Sequence, residues 1–414
     1  MTAAAHSALP RAAVDAKLVS LAGSAMVMAG VFLSGFVINE PAPYELFMVG
    51  LIAVWALFGL RLPGAIAPLI VLIVVFNIGG MIAVTQMADL YDAPLYIAVS
   101  LFLGFTAIFF AAVIAADHTR YRLAFVGWTC AAVITTILGM AGYFSLFPGA
   151  EMFTRFGRAT GAFQDPNVFG PFLVLPGMWL VHSLLTGPAS RIAWMLPTLL
   201  VIVAGLFLSF SRGAWGLFGV STILLVMALF LQSSSGRFRL RLLVMALVAI
   251  GLLALAIVVL LQVPAVSSLF AERAQLVQDY DEGRLGRFAR FGIGFLLATE
   301  HPLGIGPLVF GRLYGEDTHN IWLKALMDYG WLGFAAWSML TIWTIAAGFR
   351  LLFRARPWQP YLLCAWVVFV GHVALGTVID IDHWRHYYIL LGLVWAAIAL
   401  EHRWKVASAR PLPR

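Results

Sequence analysis

Charge is what this sequence has least of. Asp, Glu, Lys and Arg supply only 11% of its 414 residues, and its 19 carboxylates are outnumbered by 26 lysines and arginines. A soluble domain carries about 25% charged residues, so an ordinary water-soluble fold is excluded. Cysteine is nearly missing as well. Cys130 and Cys364 sit in separate apolar runs with no motif to pair them. That excludes a disulfide framework and leaves both as small hydrophobes expected in the interior. No internal repeat, low-complexity tract or dinucleotide fingerprint is present: Gly304, Gly306 and Gly311 have the wrong spacing and no βαβ surroundings.

What the chain has instead is apolar length, with 62% of its residues hydrophobic. Runs able to cross a bilayer recur at about 18–38, 44–60, 62–85, 93–116, 121–147, 167–186, 191–210, 213–232, 240–263, 320–349, 359–379 and 386–401. The expectation is an all-α polytopic membrane protein. It has about 12 transmembrane helices in a single transmembrane domain, 1–414, with a larger outer loop region, 264–318, between the ninth and tenth. The first run, Leu18–Ile38, follows Arg11 and Lys17 and is longer than a cleavable signal core, so it reads as a retained helix. Trp358, Trp384 and Trp404 fall near expected helix ends and suggest interfacial anchors.

The net charge of +7 is a matter of topology. Alternate turns carry Arg61, Arg120 with Arg122, Arg191, Arg237 with Arg239 and Arg241, and Arg350 with Arg354 and Arg356. Arg403 and Lys405 follow the last run, and Asp15, Asp117 and Glu401 are the only carboxylates on that side. Basic short loops stay in the cytoplasm, so both ends lie inside and the helix count is even. Nucleic acid is not the implied partner.

The same alternation leaves Arg155, Arg158, Arg212, Arg284, Arg287 and Arg290 on the outer face, with His319. Arginines placed against the usual bias need a reason. Forked guanidiniums match phosphate oxygens in pairs, which points to an anionic, lipid-linked substrate.

Several motifs carry these residues. In Gln164-Asp165-Pro166-Asn167, Asp165 can cap a helix with Pro166 in its first turn, and Gly161 just upstream permits a tight turn. Ser211-Arg212-Gly213 joins two runs with almost no loop, so Arg212 either snorkels to the headgroups or faces the bundle interior. Arg284, Arg287 and Arg290 would share one helical face in the headgroup plane, with Phe288, Phe295 and Leu296 dipping into the acyl region. The alternative is a solvated basic face answering Asp279, Asp281 and Glu282. His319-Asn320 opens the tenth run, either as a helix cap or with His319 as a general base. Asp380, Asp382, His383, Arg385 and His386 crowd the last outer turn without any recognised metal-ligand spacing.

Three of these elements together resemble the O-antigen ligase family, within a superfamily that also holds polysaccharide polymerases. They are Arg158…Gly161…Phe163…Asp165-Pro166-Asn167; Phe210-Ser211-Arg212-Gly213; and a loop with Arg287, Pro302-Leu303-Gly304-Ile305-Gly306, His319-Asn320 and Tyr329-Gly330-Trp331-Leu332-Gly333. Phe291 and Asp328 depart from the family pattern, where tryptophan and glutamate are usual. The resemblance implies a metal-independent glycosyltransferase in the bacterial inner membrane, with no cofactor and its active site facing the periplasm. Its donor would be a glycan on undecaprenyl pyrophosphate, and its acceptor a sugar hydroxyl on lipid A–core or on another carrier-linked glycan. The implied catalytic residues are His319, Arg212 and Arg287, with Arg158, Arg290, Asn167, Asp380 and Asp382 contacting substrate or orienting His319. An organic-anion transporter is the rival class.

Overall fold

The computed structural model describes residues 11–262, 267, 270 and 286–408. With no water in a bilayer to satisfy the backbone, helix is the form these apolar runs take. In chain order they give α1 (Arg11–Leu33), α2 (Pro43–Leu57), α3 (Ala67–Val84), α4 (Ala93–Ala116) and α5 (Arg120–Tyr143). A two-residue hairpin, β1 (Thr154–Arg155) with β2 (Arg158–Ala159), precedes α6 (Pro166–Phe172) and α7 (Val174–Thr186). Then come α8 (Ile192–Leu208), α9 (Arg212–Gln232), α10 (Gly236–Leu260), α11 (Arg287–Glu300) and α12 (Val309–Tyr314). The chain ends with α13 (Ile321–Asp328), α14 (Gly330–Leu352), α15 (Gln359–Leu375) and α16 (Arg385–Ser408).

Every one of the twelve apolar runs therefore contains helix. Among the described residues, seven helical stretches are long and apolar enough to cross a membrane: Gly64–Val84, Ala93–Ala116, Arg120–Tyr143, Pro166–Thr186, Ala189–Leu208, Arg212–Gln232 and Gly330–Leu352. Shorter apolar helices occupy Lys17–Leu33, Pro43–Leu57 and Gln359–Leu375.

α4 and α16 form the centre of the bundle. Leu103 to Ala115 is buried almost throughout, save Phe105, and so is His386 to Leu400. The Tyr121 hydroxyl ties α5 to this pair by donating to the Leu393 carbonyl. α3 crosses α14 so closely that a Cβ on Gly79 would lie 2.4 Å from the Tyr329 carbonyl oxygen, so glycine sets the approach. α8 and α9 lie outside, only a third buried, and turn apolar side chains away from the bundle.

Several expectations change. The run at 320–349 is not one helix but breaks between α13 and α14, where Gly330 has φ +66°. The run at 167–186 breaks after Phe172 beside Pro171, which has no N–H to donate. The outer region is less loop than expected. Asp279, Asp281, Glu282 and Arg284 lie outside the described residues, but α11 and α12 fold onto α13 around Ala298, Phe310, Leu326 and Met327. Cys130 faces outward; only Cys364 is buried. Trp358 and Trp384 are buried in protein, leaving Trp404 as the exposed one of the three proposed anchors.

Candidate active site at one end of the bundle

The ends of α1, α3, α5, α8 and α15 meet the starts of α2, α4, α6, α9, α13 and α16 at one face of the bundle. The hairpin turns back at Gly161, whose φ of +54° and position 2.4 Å from the Thr135 carbonyl, measured from an added Cβ, require glycine. Asp165 then caps α6, its Oδ1 accepting the Asn167 N–H at 2.7 Å, with Pro166 in the first turn as its sequence suggested. Arg158 is buried against this corner. Its Nε donates to the Ser209 carbonyl at 2.7 Å and its Nη2 to Asn167 Oδ1 at 2.8 Å. The guanidinium thus brackets the start of α6 to the α8–α9 turn.

That turn is strained. Phe210 has φ +45°, a left-handed conformation that costs a non-glycine residue about 1–3 kcal/mol and collects at functional sites. Ser211 follows as the cap of α9, accepting the Ala214 N–H at 3.3 Å, and Arg212 is the first helical residue, partly exposed. Gly213 abuts Leu375 at the end of α15. The next residue, Gly376, offers its carbonyl to the Ile321 N–H at 2.8 Å. The Arg212 turn, the α15 terminus and the start of α13 therefore converge.

His319 lies two residues before Ile321, with φ +51°, the second strained non-glycine turn of this cluster. It is Asn320 that caps α13, accepting the Trp322 and Leu323 N–H groups at 3.0 and 3.2 Å. The capping role left open for His319-Asn320 thus falls to the asparagine, and the imidazole is turned elsewhere. His319 Nδ1 stands 3.6 Å from Asp380 Oδ2, and its side chain is 43% exposed. The other Asp380 oxygen is buried with no hydrogen-bond partner among the described residues.

Behind this pair runs a buried ionic network. Lys324 reaches Asp317 Oδ2 at 3.2 Å and Asp328 Oδ2 at 2.9 Å, and its ammonium lies 5.3 Å from the centre of the Tyr96 ring. Arg290 is buried on the neighbouring element, bonded to Glu316 at 2.6 Å and to the Asp317 carbonyl at 3.3 Å. Asp382 does not orient His319. It accepts the Tyr96 hydroxyl at 2.7 Å and faces His383 Nδ1 at 3.0 Å. Burial would raise the Asp382 pKa, but His383, Lys324 and the Tyr96 hydroxyl outweigh it and hold the carboxyl well below the ordinary range.

Of the residues singled out from sequence, Arg158 and Asn167 touch each other, and Arg212, His319 and Asp380 gather around Gly376. Arg290 is engaged by its own carboxylate. Arg287 opens α11, and its side chain lies outside the described residues. Sequence reading passed over Lys324 and Tyr96. The Lys324–Asp328 spacing of four, inside an apolar run, was the available signal for the first; nothing marked the second. No three His, Cys, Asp or Glu side chains gather as a metal site would need, among the described residues.

Residues 197–338 match the O-antigen ligase family model (Wzy_C). The match runs from α8 into α14, about a third of the chain, and takes in Arg212, His319 and Lys324. It bears out the resemblance drawn from the motifs: over this stretch the chain is similar to the O-antigen ligase family. Arg158, Asn167, Asp380 and Asp382 fall outside the matched stretch. No curated protein matches the chain.

Proposed function

We propose that this protein transfers a glycan from undecaprenyl pyrophosphate to a sugar hydroxyl of lipid A–core, as an O-antigen ligase of the bacterial inner membrane. In this reading the chain crosses the membrane twelve times with both ends in the cytoplasm, and the strained turns and His319 face the periplasm. The observation that carries the reading is the meeting of the Arg212 turn with the His319–Asp380 pair around Gly376.

His319 takes the acceptor hydroxyl proton, with Asp380 orienting the ring and stabilising the imidazolium. The acceptor oxygen attacks the anomeric carbon as its bond to the diphosphate breaks. The electron pair leaves with undecaprenyl diphosphate, whose growing charge is met by Arg212 and Arg287. One direct displacement inverts the anomeric centre, and the protein's own side chains suffice for it. Arg158 and Arg290 act a step back: Arg158 fixes Asn167 and the Arg212 turn, while Arg290 fixes the segment leading to His319.

A polymerase would use the same machinery with a carrier-linked repeat as acceptor. Deleting the gene and resolving lipopolysaccharide on a gel separates the two. Bare core with carrier-linked polymer intact supports the ligase, whereas core bearing a single repeat overturns it in favour of the polymerase. Purified protein given lipid-linked glycan and acceptor tests the class itself: no transfer in detergent or nanodiscs would argue for a transporter.

A further inference from the structure

A cleft of about 210 Å³ opens beside this site, between the segment after α1, the start of α6 and the start of α16. Val37, Phe163, Gln164, Asp165, Trp384 and His386 line it. It is built rather than incidental. The Val37 N–H donates to the Ala162 carbonyl at 2.6 Å, so the segment after α1 is pinned to the hairpin exit. Asp165 is fixed as a helix cap through one oxygen. Arg385 on the rim is held by Glu45 and, at 3.0 Å, by Glu40.

The chemistry of the wall decides what it suits. Two carboxylates already answer the single Arg385 guanidinium, so its charge is not available to an anion. Asp165 adds a further carboxylate to the wall, which disfavours a diphosphate. The rings of Phe163 and Trp384, both largely buried, border the cleft with apolar edges, while Asp165 and Gln164 offer hydrogen-bond partners for hydroxyls. His386 stands in the wall behind Trp384, their ring centres 5.1 Å apart, and its buried Nε2 has no partner among the described residues. An apolar wall with a few polar groups around it makes a site for a neutral, hydroxyl-rich ring. The volume falls short of the roughly 300–1,000 Å³ of drug-sized sites, which limits the occupant to a single ring.

Position adds the rest. Asp165 lies two residues from Asn167, which Arg158 joins to the Arg212 turn. An uncharged sugar in the cleft would therefore lie next to the cationic turn, each ligand on the side whose charge tolerates it. We propose that this cleft is the sugar subsite of the acceptor, holding one monosaccharide beside Trp384 with its hydroxyls bonded to Asp165 and Gln164. The proposal rests on the glycosyltransferase reading for the word acceptor, but not for the binding of a sugar.

Saturation-transfer NMR on the full-length protein in nanodiscs tests it, with deacylated lipopolysaccharide core oligosaccharide as the probe and inorganic pyrophosphate as competitor. The wild type and His319→Ala should both saturate sugar protons, Gln164→Ala and Trp384→Leu should reduce that signal at least fivefold, and pyrophosphate should not displace it. Trp384 is buried, so Gln164→Ala, a change at an exposed side chain, keeps the test independent of folding. Undiminished signal in Gln164→Ala and Trp384→Leu, or displacement by pyrophosphate, overturns the subsite. Oligosaccharide binding that vanishes in those variants, in a protein that performs no transfer, upholds the subsite and sinks the transferase reading instead. In the transfer assay Gln164→Ala should raise the acceptor KM about tenfold and leave kcat and the donor KM unchanged; a fall in kcat alone would count against it.

Discussion

His319 Nδ1 stands 3.6 Å from Asp380 Oδ2, on a backbone held at φ +51°. The gap is longer than a hydrogen bond, and apo sites often tighten only when substrate arrives. If His319 is the base, His319→Ala should lower kcat by about 10²–10⁴-fold. Asp380→Asn keeps the shape but not the charge that stabilises an imidazolium. It should lower kcat less than His319→Ala does and shift the acidic limb of activity, where the imidazole gains its proton, toward lower pH. Transfer assays across pH check both, and an unaltered profile in Asp380→Asn removes Asp380 from the mechanism.

Lys324 is the fold's principal charged anchor at this end, set between Asp317 and Asp328. Lys324→Met should be far more harmful than its conservative volume suggests, because the buried Asp328 and the partly buried Asp317 lose their cation together. Breaking a buried pair from one side costs about 3–5 kcal/mol. The double variant Lys324→Met/Asp328→Asn should recover part of that. Thermal unfolding in nanodiscs measures it; equal melting of wild type and Lys324→Met would refute the anchoring role.

Much of the architecture was legible because a bilayer leaves an apolar run few alternatives to helix. Each of the twelve runs contains helix, and Asp165-Pro166 announced a helix start that is there. The breaks were harder to see. The α13–α14 junction at Tyr329–Gly330 depends on packing against Pro302 and Gly79, residues remote in sequence. The candidate site divides in the same way. Arginine on the unexpected face signalled Arg158 and Arg212, but only tertiary contacts reveal that Arg158 is taken up by Ser209 and Asn167. Tyr96 and Asp382 are 286 residues apart and meet only in space. Trp384 reads as a membrane anchor until the fold buries it.

Arg158 and Arg212 should respond differently to the same replacement. Lysine cannot reproduce the two directed bonds by which Arg158 joins Ser209 to Asn167. Arg158→Lys should therefore lower thermal stability by about 1–3 kcal/mol, the cost of leaving buried groups unpaired. Arg212→Lys, at a partly exposed helix start, should melt near the wild type but lose transfer through kcat. Paired melting and kinetic measurements decide. Full transfer by Arg212→Lys argues against the diphosphate role.

The Asp382 carboxyl, held below its ordinary range by His383, Lys324 and the Tyr96 hydroxyl against the effect of burial, fixes the sign of a pH effect. A carboxyl with a depressed folded pKa stabilises the fold fully above its unfolded value, about 3.9. That stabilisation drains away as pH falls toward the folded value. The melting difference between wild type and Asp382→Asn should thus be constant from about pH 6 to 8 and narrow below about pH 4, where the unfolded chain begins to take up the proton. Tyr96→Phe removes one of the three contributions and raises the folded value, so the narrowing should begin at the same pH but be smaller and end at a higher pH. Unfolding curves of the three proteins between neutral pH and acid test the assignment, and a difference that widens on acidification reverses it.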